Sequence, residues 1–217
     1  MSKSAIILGA TGLTGNFVLK ELLNNKDYSK LLVFSRIELE IKHDKLEVII
    51  CDLLKLEEQQ EKFQADEVYV CIGSTTNKTP NKKLYRDIDF GIPVAAAQLC
   101  KSNNIKCISI ISSLGANARS TVFYPKTKGE MENEVMALGI EKAYLLRPSM
   151  ILGARQENRL GESLGKILLA IISPFMVGKL TRYKGIQSKT IANAMIWLSN
   201  NDYSNGTIES EKIRKLV

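Results

Sequence analysis

The stretch that most restricts this chain is Ile6-Ile7-Leu8-Gly9-Ala10-Thr11-Gly12-Leu13-Thr14-Gly15. An apolar run that reads as a buried strand meets three glycines spaced by three residues. A segment of helical spacing follows, with Phe17, Val18, Leu22 and Leu23 apolar and Asn16, Lys20, Glu21 and Asn24 polar. Strand, glycine turn and helix in this order form the context in which a glycine motif carries weight. Gly9 lets the chain leave the strand in a tight turn, Gly12 has no Cβ to hold a pyrophosphate off the backbone, and Gly15 lets the helix pack close to the sheet. The unpaired N–H groups and positive dipole end of the helix then face the phosphates. Gly9, Thr11, Gly12, Leu13, Thr14 and Gly15 are therefore expected to hold a dinucleotide. A turn that binds nothing would not need three glycines, each of which costs backbone entropy.

The following segments repeat the alternation of strand and helix. Lys30 to Arg36 reads as a second strand ending in Ser35-Arg36, the position that meets the adenosine ribose in dinucleotide folds. A carboxylate there suits NAD, whereas an arginine accommodates the 2′-phosphate of NADP through paired, charge-assisted bonds. The first carboxylate comes only at Glu38, so NADP(H) is favoured over NAD(H). Leu46 to Cys51 is a third strand leading to Asp52-Leu53, and Lys55 to Lys62 a charged helix. On spacing alone, Asp52 serves equally as a helix cap. Glu67 to Ile72 is a fourth strand that opens into Gly73-Ser74-Thr75-Thr76. Because ligands lie across the carboxyl ends of such strands, Cys71, Ile72, Gly73 and Ser74 are expected beside the cofactor and Thr75 towards the substrate. Asn77 to Lys83 reads as an exposed insertion. A helix over Tyr85 to Lys101, interrupted near Pro93, precedes a fifth strand from Ile105 to Ile111 that ends in Ser112-Ser113. The sum is an α/β fold, a doubly wound parallel sheet with right-handed crossovers. The 217 residues suit a single domain, with residues 150–217 supplying a small substrate-side region.

Composition narrows the function classes. With 45% hydrophobic and 24% charged residues, the chain is that of an ordinary globular protein. The net charge of +7 is spread along the sequence without a basic cluster interleaved with aromatics, which argues against nucleic acid and fits an anionic cofactor. The apolar run from Ile167 to Val177, interrupted by Pro174, is too short to span a membrane. Met1-Ser2-Lys3-Ser4 leaves no room for a signal peptide, so a cytoplasmic location is expected. Cys51, Cys71, Cys100 and Cys107 lack metal-type spacing, and no metal site or disulfide is expected. The single histidine, His43, sits in a polar stretch away from any nucleophile.

The chemistry comes from Tyr124-Pro125-Lys126-Thr127-Lys128, just after the serine pair. Tyrosine and lysine four apart at a helix start share a face. The ammonium would favour the phenolate and so poise Tyr124 to exchange a proton with a carbonyl oxygen. A hydroxyl from Ser112 or Ser113 would orient that oxygen. Tyr-x-x-x-Lys alone is common by chance; after the glycine motif and a strand-end serine pair it is specific.

The Gly-x-x-Gly-x-x-Gly spacing resembles the short-chain dehydrogenase/reductase superfamily. Tyr124 to Glu132, Leu146-Arg147-Pro148-Ser149 and the run Gly153 to Glu162 together resemble its Tat-interacting-protein-like, atypical group. The resemblance implies an NADP(H)-binding Rossmann fold and an oxidoreductase. It sets Asp52 and Leu53 around the adenine, Lys128 on the cofactor, and Arg147, Pro148 and Ser149 against the nicotinamide. It puts Arg155, Gln156 and Arg159 on the substrate side; a salt-bridge network serves equally for those charges. One departure stands out: Asp89 occupies the helix position where many members carry a catalytic asparagine, which bears on the proton relay.

The expected function is NADP(H)-dependent reduction of a small carbonyl compound, or its reverse. The alternative from another class is a redox-sensing protein that binds NADP(H) and acts on a protein partner. A nucleotide-sugar epimerase fits less well with Arg36 and the short C-terminal region. The sequence leaves the oligomeric state open.

Overall fold

The computed structural model describes residues 2–75, 79–153 and 178–217. Arg155, Gln156 and Arg159, the helix expected over Leu160 to Ile172 and the apolar run ending at Val177 lie outside the described residues. In chain order the elements are β1 (Lys3–Leu8), α1 (Leu13–Asn24), β2 (Tyr28–Ser35), β3 (Leu46–Ile50), a 3₁₀ helix (Leu53–Gln59) and β4 (Glu67–Val70). They continue with α2 (Lys82–Arg86), a π turn (Asp87–Gly91), α3 (Ile92–Ser102), β5 (Cys107–Ile111), α4 (Phe123–Ala137), β6 (Lys142–Arg147) and β7 (Ile151–Leu152). A 3₁₀ turn (Gly178–Tyr183), β8 (Ile186–Gln187), α5 (Ser188–Asn200), β9 (Gly206–Glu209) and α6 (Ser210–Ile213) complete the description.

Seven strands form one sheet in the order β3-β2-β1-β4-β5-β6-β9, every neighbouring pair parallel. Parallel strands covered on both faces need apolar residues in succession rather than in alternation, and β1 reads Ala5-Ile6-Ile7-Leu8 for that reason. Ala5 and Ile7 join α1 and α5 in one core layer, which also holds Val33, Met195 and Leu198. Ile6 and Leu8 enter the other layer with Phe34, Val70, Ala96 and Met131 under α3 and α4. The segment after residue 150 returns to the sheet: β9 pairs with β6, and α5 packs on α1. Residues 186–213 thus belong largely to the sheet and its layers.

Two local differences from the sequence reading have clear causes. The helix expected from Lys55 is instead two short 3₁₀ turns within Leu53–Gln59, because the chain kinks at Lys55 (φ −125°, ψ 39°) between the buried Leu53 and Leu56. The helix interrupted near Pro93 is broken by the π turn just before it. Pro93 has no N–H for the Asp89 carbonyl four residues back, and Ile92 N–H instead reaches back to Asp87 O.

A polar cluster ties the end of the sheet where β1 and β4 begin. The buried Glu67 carboxylate accepts from Tyr28 and Tyr69, each at 2.6 Å, and from Lys3 Nζ at 2.7 Å. Asn200 Nδ2 donates to Tyr28 Oη at 2.7 Å and so joins α5 to it. Burial first, then the Glu67 charge, raises the Tyr28 and Tyr69 phenols above their ordinary value of 10.0. Burial likewise pushes Tyr144 and Cys71 up to about 12 and Cys107 up to about 11. Folded acids with raised pKa keep protons that the unfolded chain releases, so their stabilisation is complete below the unfolded values and lost above them. The urea midpoint is expected to fall steadily from about pH 9 upwards, as measured by chemical denaturation at stepped pH; a midpoint that rises there contradicts the assignment.

Candidate functional site

The strand order reverses between β1 and β4, and a ligand crevice opens beyond the carboxyl ends of strands at such a point. Cys71 N–H bonds Leu8 O at 2.8 Å, which brings the ends of the two strands together. Gly9 has φ +86° there, and a Cβ on it would lie 2.8 Å from Cys71 O. A Cβ on Gly15 would lie 2.1 Å from Gly9 O. The third glycine therefore brings α1 against the turn itself, closer than the sheet contact the motif suggests. Gly12 is the N-cap of α1 and has no side-chain cap, and the first helical bond is Asn16 N–H to Gly12 O. The N–H groups of Leu13, Thr14 and Gly15 precede that bond, as an anion site requires.

Two clefts meet at Gly12, Cys71 and Ile72, which line both. The first, of about 690 Å³, collects Gly9, Thr11, Ser35, Arg36, Asp52 and Leu53. Arg36 is exposed at its edge, and no acidic partner for it occurs among the described residues. Asp52 caps the 3₁₀ helix by accepting Leu54 N–H at 3.0 Å, the role that its position after a strand allowed. Ile37, Leu54 and Leu84 also line this cleft and are 62%, 43% and 40% exposed, an apolar rim suited to a flat base.

The second cleft, of about 510 Å³, brings together Gly73, Ser74, Thr75, Asp89, Ser112, Ser113, Tyr124, Lys128, Pro148 and Ser149, with Leu13 and Thr14 at the helix end. Lys128 and Asp89 are both buried, with Nζ 3.0 Å from Oδ1. This is a charge contact without hydrogen-bond alignment, since Oδ1 accepts no hydrogen bond among the described residues. Asp89 Oδ2 accepts Ser74 N–H at 2.8 Å, and Lys128 Nζ also donates to Ile111 O at 3.4 Å. The carboxylate thus balances the ammonium charge that the sequence reading assigned to Tyr124 alone. Cys71 lies at the same junction as a neutral thiol, since burial keeps its pKa high.

Arg147 does not reach this cleft. Its Nε and Nη2 donate to the buried Glu132 at 2.9 and 2.5 Å, and Nη1 donates to Glu209 at 2.9 Å. The expectation that Arg147 lies against the nicotinamide gives way to a bracing role between β6, α4 and β9, while Pro148 and Ser149 do line the cleft. Sequence reasoning passed over Glu132 and Tyr85. Glu132 follows Lys128 by four residues and so shares its helix face, a signal that was available. Tyr85 packs edge-on to Tyr124 at 6.1 Å and donates to Ser74 O at 3.2 Å. Burial raises its phenol pKa, with Asp89 and Tyr124 adding to the effect.

A family model described as NAD(P)H-binding matches residues 9–150. Protein HTATIP2 of Rattus norvegicus is 33% identical over 169 residues, which cover 76% of this chain and 69% of that protein. This chain belongs to the NAD(P)H-binding, atypical short-chain dehydrogenase/reductase family. Another relative of this family member is Protein FMP52, mitochondrial, of Lodderomyces elongisporus, 32% identical over 73% of the chain and 71% of that protein. Among solved structures, the family fold matches a UDP-N-acetylglucosamine 4-epimerase from Methanobrevibacter ruminantium at TM-score 0.73 and 20% identity, covering 95% of this chain and 76% of that one. The Bordetella bronchiseptica enzyme WbmH, in complex with NAD⁺, matches at TM-score 0.73 and 14% identity, covering 96% and 76%. These identities establish the Rossmann-like fold alone.

The site fits the family's nicotinamide cofactor: backbone crowding excludes side chains at Gly9 and Gly15, the helix end is uncapped, and the two clefts join at Gly12. Among the described residues, no cluster of side chains could hold a metal ion, and no helix is long and apolar enough to cross a membrane. The buried pair gives a direct test. Removing Asp89 as Asp89→Ala leaves Lys128 charged and unpaired, which is expected to cost about 3 kcal/mol in urea unfolding. An unchanged midpoint would show that the pair does not form.

Proposed function

We propose that this chain is an NADP(H)-dependent oxidoreductase acting on small carbonyl compounds, with Tyr124 as acid and base. The observation that carries the reading is the convergence of Tyr124, Lys128, Ser112 and Ser113 on one cleft beside the α1 N-terminus. The glycine turn would hold the pyrophosphate, Asp52, Leu53 and the apolar rim the adenosine, and Pro148 and Ser149 the nicotinamide end. The nicotinamide, when bound, supplies or accepts the hydride. As the carbonyl carbon gains hydride, Tyr124 gives its phenolic proton to the oxygen; in the reverse direction it takes that proton back. Lys128 has one N–H to spare beyond Asp89 and Ile111 O, and it would serve the cofactor ribose, the ammonium charge acting on the phenol through space.

Arg36 supports the preference for NADP(H), since a guanidinium unpaired among the described residues at the adenosine cleft suits a 2′-phosphate. Calorimetric titration is expected to give tighter binding of NADPH than NADH by at least about tenfold, and Arg36→Ala to remove the difference. Equal affinities in the wild-type protein would refute the preference. Tyr124→Phe is expected to lower kcat on an aldehyde and ketone panel by about 10²-fold or more while NADPH affinity holds. Equal turnover by this variant would remove Tyr124 from the chemistry.

The Asp89 carboxylate beside Lys128 favours one second reading, a nucleotide-binding redox sensor with a protein partner. NADPH binding without turnover, with a partner whose affinity follows the NADP⁺/NADPH ratio, would select it. The epimerase neighbours bear on the fold and not on this choice. For the compartment we propose the cytoplasm, consistent with four free cysteines. The fungal relatives are named mitochondrial, and cell fractionation decides between the two.

A further inference from the structure

Ser112 and Ser113 adjoin in sequence and line the same cleft, yet their hydroxyls are held differently. Ser112 Oγ is 2.5 Å from Glu132 Oε1, in the core. Glu132 also accepts two bonds from Arg147, which is itself held by Glu209. An ionised carboxylate only accepts hydrogen bonds. The Ser112 hydrogen must therefore point away from the cleft towards Glu132. Among the described residues no donor reaches Ser112 Oγ, so its lone pairs remain free to accept, on a residue that lines the cleft. Among the described residues Ser113 Oγ has only a local contact, 3.2 Å to Leu114 O, and its hydrogen can turn to another acceptor.

We propose that Glu132 is a positioning residue that makes Ser112 a hydrogen-bond acceptor in the wall of the cleft, and that the site selects carbonyl substrates with a hydroxyl beside the carbonyl. The inference rests on the oxidoreductase reading above and names its substrate class. Ser113 and Tyr124 donate to the carbonyl oxygen, while Ser112 accepts from the neighbouring hydroxyl. A carbonyl compound lacking that hydroxyl leaves the Ser112 lone pairs unmatched in a nearly closed wall, where Ser112 is 4% exposed.

The test compares α-hydroxyacetophenone with acetophenone, by kcat/KM with NADPH. In parallel, calorimetry compares the corresponding diol and alcohol on the NADPH-loaded protein, a readout that needs no turnover. Wild type is expected to favour the hydroxylated member of each pair by at least about tenfold, and Ser112→Ala to bring both ratios near one. Glu132→Gln is expected to lower both ratios, because its amide can donate to Ser112 and free the hydroxyl to turn. A thermal melt checks that this variant folds, and Ser112→Ala, the loss of one oxygen atom, decides if it does not. Turnover of both ketones with a ratio near one, or a ratio that survives in Ser112→Ala, overturns the proposal and leaves the oxidoreductase reading standing. Absent turnover with a Ser112-dependent binding ratio does the reverse. Absent turnover and absent discrimination overturn both.

Discussion

The structure depends on backbone meeting backbone where α1 begins. With no Cβ at Gly15, the first turn of α1 lies against the Gly9 carbonyl, and Gly9 in turn sits against the Cys71 carbonyl at the end of β4. These contacts fix the distance between the first helix and the two central strands. They also set the crevice that the two clefts share. Any side chain at either position has to displace main chain, which is far costlier than moving another side chain. The tolerance of the fold is therefore lowest where its ligand surface is formed.

Around that fixed point, three separate groups of charge tie elements together among the described residues. Glu67 with Lys3 and two tyrosines ties the strand starts. Asp89 with Lys128 ties the loop after β4 to α4, and Glu132 with Arg147 ties α4 to β6. A buried ion is tolerated only when its partners are in place, so each group specifies one relative position of the elements it joins. Two of the three also reach the cleft through Lys128 and Ser112. On α4, Tyr124, Lys128 and Glu132 stand on successive turns of one surface, and Lys128 both lines the cleft and holds the layers together.

Much of this was legible in the sequence because it rests on short-range pattern. The apolar runs mark strands covered on both faces, the glycine spacing marks the turn, and Tyr124 with Lys128 marks one helix face. What stayed hidden depends on partners distant in the chain. Arg147 is a cleft residue by family resemblance, and only the approach of Glu132 and Glu209 turns it aside. Asp89 reads as a departure from a family pattern, and its meaning changes once Lys128 is found against it. The bond from Ser112 to Glu132 joins a strand end to a helix face, and neither residue alone indicates it. Arg155, Gln156 and Arg159 lie beyond what the structure describes.

The π turn over Asp87–Gly91 has a consequence for how this surface could vary. A π turn accommodates one more residue than the α-helical turn it replaces. Deleting a single residue there would restore a regular helix and rotate the preceding segment by roughly 100° relative to α3. Tyr85 would swing away from Tyr124, and Asp89 would leave Lys128. A one-residue length change, harmless in most loops, would here dismantle one wall of the cleft while leaving the sheet intact. That bend acts as a register mark, and the length of the chain across it is as much a part of the site as the side chains it carries.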